Sequence, residues 1–227
     1  LDASAARIAS GLVRFGIDPG ENVGILLPNV PEYVEVFFGI VRAGGVAVML
    51  NTGLKSEEIR YILDNCRAAT LITTPRFCEV IDPIRSELPQ LDHVFAIGDE
   101  LCGDSRPFSE LPSDDPVALP GRKPDDPAGI IYTSGITGLP KGAVLSNRNY
   151  LSNTAQIVQA TGLTESDRML AVLPLFHVMG FTLNLLAPLY AGGSVVLQRG
   201  FSAADFLPSL DRFHVTSFTA VPTVFAI

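Results

Sequence analysis

Apolar and polar positions along this chain switch repeatedly between a helical and a strand period. Leu1–Phe15 places apolar residues at helical spacing, and NVGILL from Asn22 is an apolar run of strand length. Pro31 opens a helix to about Ala43, where a proline in the first turn is favourable; Gly44-Gly45 ends it, and VAVML from Val46 is a strand. Ser56 precedes a helix to about Asn65, ATLITT from Ala69 is a strand, Pro75–Leu88 is helical, and HVFAIG from His93 is a strand. Gly129–Thr133 and Gly142–Leu145 are strands on either side of a small-residue loop. A helix capped by Ser146 or Asn147 follows them. DRMLAVLP from Asp167 is a strand, Val178–Tyr190 a helix, SVVLQ a strand, Phe201–Phe213 a helix and VTSFTAV a strand. Such alternation predicts an α/β fold with mostly parallel sheets flanked by helices.

Between Asp99 and Pro127 the pattern breaks down. Pro107, Pro112, Pro116, Pro120, Pro124 and Pro127 stand among acidic residues, a density that excludes a helix or a central strand. Two readings are open: a connection between subdomains, or a long ordered surface loop. The first divides the chain into an α/β subdomain over 1–98, a proline-rich connection over 99–127 and a second subdomain over 128–227.

Composition narrows the function classes. With 47% hydrophobic residues and 18% charged, the chain has material for a sizeable core. A net charge of −8 argues against nucleic-acid binding, although a local loop can still hold a nucleotide's phosphates. Cys66, Cys78 and Cys102 lie at uneven spacing, without metal-ligand spacing to any histidine. They are expected to be reduced thiols in an intracellular, cytoplasmic protein. Met169–Gln198 has His177 as its only ionisable side chain. However, Pro174, Pro188, Asn184 and Gly192-Gly193 cut it into pieces too short to cross a bilayer. No transmembrane segment is expected, and the amphipathic N-terminus does not read as a signal peptide. Leu1 is not an initiator methionine and AVPTVFAI stops early in a helix, so a fragment is expected.

The chemistry concentrates in IIYTSGITGLPKGAVLSN, from Ile130 to Asn147. Glycines let consecutive N–H groups turn toward an anion; Thr133, Ser134 and Thr137 add hydroxyl donors, and Lys141 adds a positive charge. The GxxxxGK[ST] loop does not fit, because Gly142 stands where Ser or Thr should follow the lysine. The alternative is a glycine-rich hairpin turn, which rarely needs this length or this many hydroxyls.

YTSGITGLPKG resembles the phosphate-binding loop of the adenylate-forming (AMP-binding) superfamily, which includes acyl-CoA synthetases, luciferases and peptide-synthetase adenylation domains. ENVGILLPNVPEYVEVFFGIVRAGGVAVMLN resembles that family's first strand, helix and strand. LPLFHVMGFTLNLLAPLYAGGSVVL resembles the core motif lining its acid pocket. The resemblance implies two stacked α/β subdomains, forming most of the N-terminal part of an acyl-CoA synthetase-like enzyme. It also implies ATP-dependent activation of a fatty or aryl carboxylic acid as an acyl-adenylate, followed by transfer to coenzyme A, with magnesium as the metal.

On that resemblance Thr133, Ser134, Gly135, Thr137, Gly138 and Lys141 bind the β- and γ-phosphates, and Thr133 is a metal candidate. Lys141 and His177 are the catalytic candidates, and His177 and Met179 border the acid. Read from the residues alone, His177 and Met179 are equally core side chains, and Arg199 is a surface arginine as readily as a coenzyme A contact. PLFHVMGF lacks the aspartate that would pair with an amino acid's ammonium, which favours acids without an α-amino group. The family's magnesium glutamate, ribose aspartate and mobile C-terminal domain would lie beyond Ile227, so this chain by itself is expected not to complete adenylation. The alternatives are a non-catalytic nucleotide-binding module, an acyl-AMP ligase loading another thiol acceptor, and a phosphotransferase.

Overall fold

The structure is a computed structural model describing residues 1–133 and 139–222. By its contacts the chain forms two compact units, Leu1–Leu27 with Glu32–Asn147, and Pro28–Pro31 with Arg148–Ile227.

The first unit contains helices α1 (Asp2–Arg14), α2 (Pro31–Ala43), α3 (Ser56–Asn65) and α4 (Cys78–Ile81). Its strands are β1 (Asn22–Ile25), β2 (Val46–Met49), β3 (Thr70–Thr73), β4 (His93–Ala96), β5 (Arg106–Pro107), β6 (Pro127–Thr133) and β7 (Lys141–Ser146). They form one sheet in the order β5-β4-β3-β1-β2-β6-β7. Every pairing is parallel except that of β6 with β7. All four residues of β2 and of β3 are buried, as expected of parallel strands covered on both faces. Val46, Val48 and Leu50 pack in one cluster with Ile59, Ile62 and Leu63 of α3, and with Phe77, Ile81, Ile84 and Leu88.

Two expectations change here. Pro75–Leu88 is not one helix: 3₁₀ turns at Pro75–Phe77 and Asp82–Glu87 flank the four-residue α4, because Pro83 interrupts the α-helical bonding. Cys78 and Cys102 are not reduced thiols but a disulfide, with a Cα–Cα distance of 4.9 Å; Cys66 is free and buried. The two cysteines lie shortly after β3 and β4. Because those strands pair in parallel, the segments leaving them emerge side by side.

The proline-rich segment packs on the first unit. Cys102 and Leu111 are buried, the Ser113 N–H donates to the Arg7 carbonyl of α1, and Arg14 donates to Ser113 Oγ at 2.8 Å. β6 and β7 then extend the first sheet, and the division by contacts falls after Asn147.

The second unit holds a three-stranded parallel sheet ordered β10 (Ser217–Phe218), β8 (Arg168–Ala171), β9 (Ser194–Leu197). Helix α5 (Asn147–Thr161) precedes it. The helical stretch predicted over Val178–Tyr190 comprises α6 (Val178–Phe181), a π-helical turn (Thr182–Leu186) and α7 (Ala187–Tyr190). Helix α8 (Ala203–Arg212) follows β9. Leu170, Val172 and Leu173 form the centre of this core, with Met179, Phe206 and Phe218 against them. Among the described residues no helix is long and apolar enough to cross a membrane.

Candidate active site

The antiparallel β6–β7 pair carries the phosphate-loop candidates. Its last rung places Thr133 opposite Lys141, and the rung before it pairs Tyr132 with Gly142. Alternation along a strand puts Thr133 and Lys141 on one face and Tyr132 on the other. Both Thr133 and Lys141 are exposed. Ser134, Gly135, Ile136, Thr137 and Gly138 lie outside the described residues, between these two anchors.

Tyr132 is fixed on the opposite face. Its hydroxyl donates to Asn65 Oδ1 at 2.6 Å, at the C-terminal end of α3. A Cβ at position 142 would come within 2.9 Å of both the Tyr132 ring and Ile130 Cγ2, so glycine there allows the ring to lie across β7. Burial raises the Tyr132 hydroxyl pKa and pushes the neighbouring Cys66 thiol up to about 11, so both groups stay protonated near neutrality. The strand leading into the loop is thus tied to α3 by a neutral hydrogen bond.

The acid-pocket candidates lie in the second unit. His177 is the N-cap of α6, and its Nδ1 accepts the Met179 N–H at 3.3 Å. Its ring is exposed rather than a core side chain, whereas Met179 is half-buried against Leu170, Val172 and Leu173. The preceding turn is closed by the His177 N–H donating to the Pro174 carbonyl at 3.1 Å. A Cβ on Gly180 would overlap that same carbonyl oxygen, so the first turn of α6 can rest directly on Pro174. Arg199, just past β9, is exposed.

Two asparagines join this region, neither of them read from the sequence as a site residue. Asn29 is 5% exposed and bridges the backbone of Leu173 and Leu175. Asn184 is fully buried in the π-helical turn and donates to the Thr219 carbonyl at 3.2 Å. The available signal was a polar side chain set in an apolar context: LPNVP for the first, TLNLL for the second.

Among the described residues no group of three or more His, Cys, Asp or Glu could hold a metal ion. Of the described candidates, the exposed Thr133 hydroxyl could supply one oxygen ligand to magnesium, with a nucleotide's own phosphates supplying others.

The fold is that of an α/β protein whose mostly parallel sheet ends in a hairpin, with Thr133 and Lys141 paired on its last rung. The chain matches the AMP-binding enzyme family over residues 1–227, and it belongs to that family. It is 34% identical over 225 residues to a feruloyl-CoA synthase from Amycolatopsis, covering 99% of this chain and 43% of that protein. Among solved structures, an anthranilate CoA ligase in complex with anthranoyl-AMP superposes with a TM-score of 0.90 at 37% identity, covering 99% of this chain and 44% of the other. ATP-bound MatB from Rhodopseudomonas palustris superposes with a TM-score of 0.85 at 29% identity, again covering 99% and 44%. The chain thus spans less than half the length of each of these three proteins.

Proposed function

We propose that the intact protein is an acid–thiol ligase that activates a carboxylic acid with ATP and passes the acyl group to coenzyme A. The observation that carries the proposal is the pairing of Thr133 with Lys141 across the mouth of the 134–138 loop. It puts a hydroxyl donor and a positive charge on one exposed face, which suits a polyphosphate. The acid's carboxylate attacks the α-phosphorus and displaces pyrophosphate, leaving an acyl-adenylate. The thiol then attacks the acyl carbon and AMP departs.

In the first step Lys141 holds the β- and γ-phosphates and offsets the charge that grows on the leaving pyrophosphate. Thr133 donates to the same group, joined by Ser134, Gly135, Thr137 and Gly138. Magnesium, when bound, supplies further charge neutralisation on the phosphates. His177 borders the acid at the N-terminus of α6, and Met179 gives the pocket an apolar wall. The absence of a carboxylate in PLFHVMGF supports an acid without an α-amino group. Relatives whose names specify feruloyl and anthranoyl groups support the aryl half of the fatty-or-aryl class.

The test is product analysis of the intact protein with MgATP, coenzyme A and a panel of aryl, fatty and amino acids. Acyl-CoA should form from aryl or fatty acids. Preferential activation of α-amino acids would refute the acid class. Formation of the adenylate without any coenzyme A ester would redirect the second step to another thiol.

A further inference from the structure

Asn29 lies between two prolines in LPNVP, in the short segment Pro28–Pro31 that packs with the second unit. Its side chain makes two hydrogen bonds to the backbone on either side of Pro174. Nδ2 donates to the Leu173 carbonyl at 2.9 Å, and the Leu175 N–H donates to Oδ1 at 2.9 Å. These partners fix the amide orientation, since the flipped form would set oxygen against oxygen and nitrogen against N–H. They also fix the residue type: aspartate has no donor for Leu173, and an aliphatic side chain has neither group.

This bridge sits directly upstream of His177. Pro174, the residue spanned by it, accepts the His177 N–H and carries the close approach of Gly180. The first turn of α6 is therefore seated on a peptide whose two flanks are held by one buried amide. Pro28 and Pro31 restrict the backbone around Asn29, so little freedom remains to be lost in holding it there. Leu175 is fully buried and Leu173 is 8% exposed, so water is a poor substitute for the lost partner. Asn29 does not touch His177; it acts through the backbone.

We propose that Asn29 is a positioning residue for the acid site, setting where His177 and the N-terminus of α6 stand. The proposal rests on the assignment of His177 to the acid site. A displaced turn moves His177 relative to the bound carboxylate, and displacements of about 1 Å at such sites can cost on the order of 100-fold in rate. ATP is held through a different part of the chain, so its binding should be spared.

The test is acid-dependent ATP–pyrophosphate exchange on the intact enzyme, comparing wild type, Asn29→Ala, Asn29→Ser, His177→Ala and the Asn29→Ala/His177→Ala pair. In Asn29→Ala, kcat/KM for the acid should fall about tenfold or more, with KM for ATP within about twofold of wild type. Asn29→Ser, which keeps one hydroxyl able to make one of the two bonds, should fall in between, and it carries the test if the alanine variant does not fold. Because Asn29 acts through His177, the double variant should be no worse than His177→Ala alone. Additive losses in the pair, or equal losses on acid and ATP, would mean a general structural role and overturn the proposal. Unchanged kinetics in Asn29→Ser and Asn29→Ala would overturn it as well. Failure of the underlying function is separately visible, as wild-type protein without acid-dependent exchange.

Discussion

Thr133 and Lys141 are cross-strand partners on the closing rung of β6 and β7, and the five residues between Thr133 and Leu139 are bounded by them. Opposite partners on such a rung have Cβ atoms about 5 Å apart, so both side chains can reach one phosphate group. If Lys141 holds the phosphates as proposed, Lys141→Ala should cost about 1.5–3 kcal/mol, or roughly 10- to 150-fold in kcat/KM for ATP. Thr133→Val should cost less, because its hydroxyl is neutral. KM for the acid should stay within about twofold in both variants, and steady-state kinetics with ATP and acid varied separately check it. A Lys141→Ala enzyme with wild-type kcat/KM for ATP would remove Lys141 from the site.

Cys66 gives a stability prediction with a defined pH window. Burial raises its thiol from an ordinary 9.0 to about 11 in the fold. The folded state therefore favours the protonated thiol. That contribution is fully present below about pH 9 and is lost as pH rises through about 11, amounting to up to about 3 kcal/mol. Denaturant titrations of wild type and Cys66→Ala across this range should show wild type losing stability more steeply. Parallel pH dependences would contradict the assignment.

The disulfide between Cys78 and Cys102 closes a loop of 24 residues in sequence separation. By chain entropy such a link is worth about 3.5 kcal/mol. Reductant should lower the melting temperature of wild type and leave a Cys78→Ser/Cys102→Ser variant unaffected. Equal melting of the wild type with and without reductant, alongside alkylation of both Cys78 and Cys102 seen by mass spectrometry, would show that the bond does not form.

On the resemblance of YTSGITGLPKG to the adenylate-forming loop, a threonine or serine is expected at position 136, where this sequence has Ile136. Isoleucine and threonine are both branched at Cβ and similarly stiff. Ile136→Thr should therefore restore a side-chain donor with little change of backbone, raising kcat/KM for ATP about tenfold or more. Equal values for the two proteins would mean that this position does not contact the nucleotide.

Much of the fold was legible because its elements follow a single rule each. The helix expected from Pro31 to Ala43 and the strand opening at Val46 have those limits in the structure, since a proline start, a glycine-pair end and an unbroken apolar run leave little choice. What escaped were relationships between distant segments. Cys78 and Cys102 meet because β3 and β4 are parallel neighbours, and no local spacing encodes that pairing. The proline-rich stretch packs on α1 through Leu111 and Ser113, contacts that its composition does not encode. Helical periodicity carried the expectation across Pro83, where the bonding breaks into 3₁₀ turns. Among the candidate residues, His177 and Lys141 were visible as unusual side chains in their contexts. Asn29 was not, because its role lies in two backbone bonds to residues more than a hundred positions away.

Acid-dependent ATP–pyrophosphate exchange by the intact protein tests the functional reading most directly, since it isolates attack on the α-phosphorus from every later step. The expected result is exchange that requires a carboxylic acid and magnesium, is strongest with aryl or fatty acids, and falls by about tenfold or more in Lys141→Ala. Transfer of the γ-phosphate to the substrate, or no exchange with any acid, would contradict it.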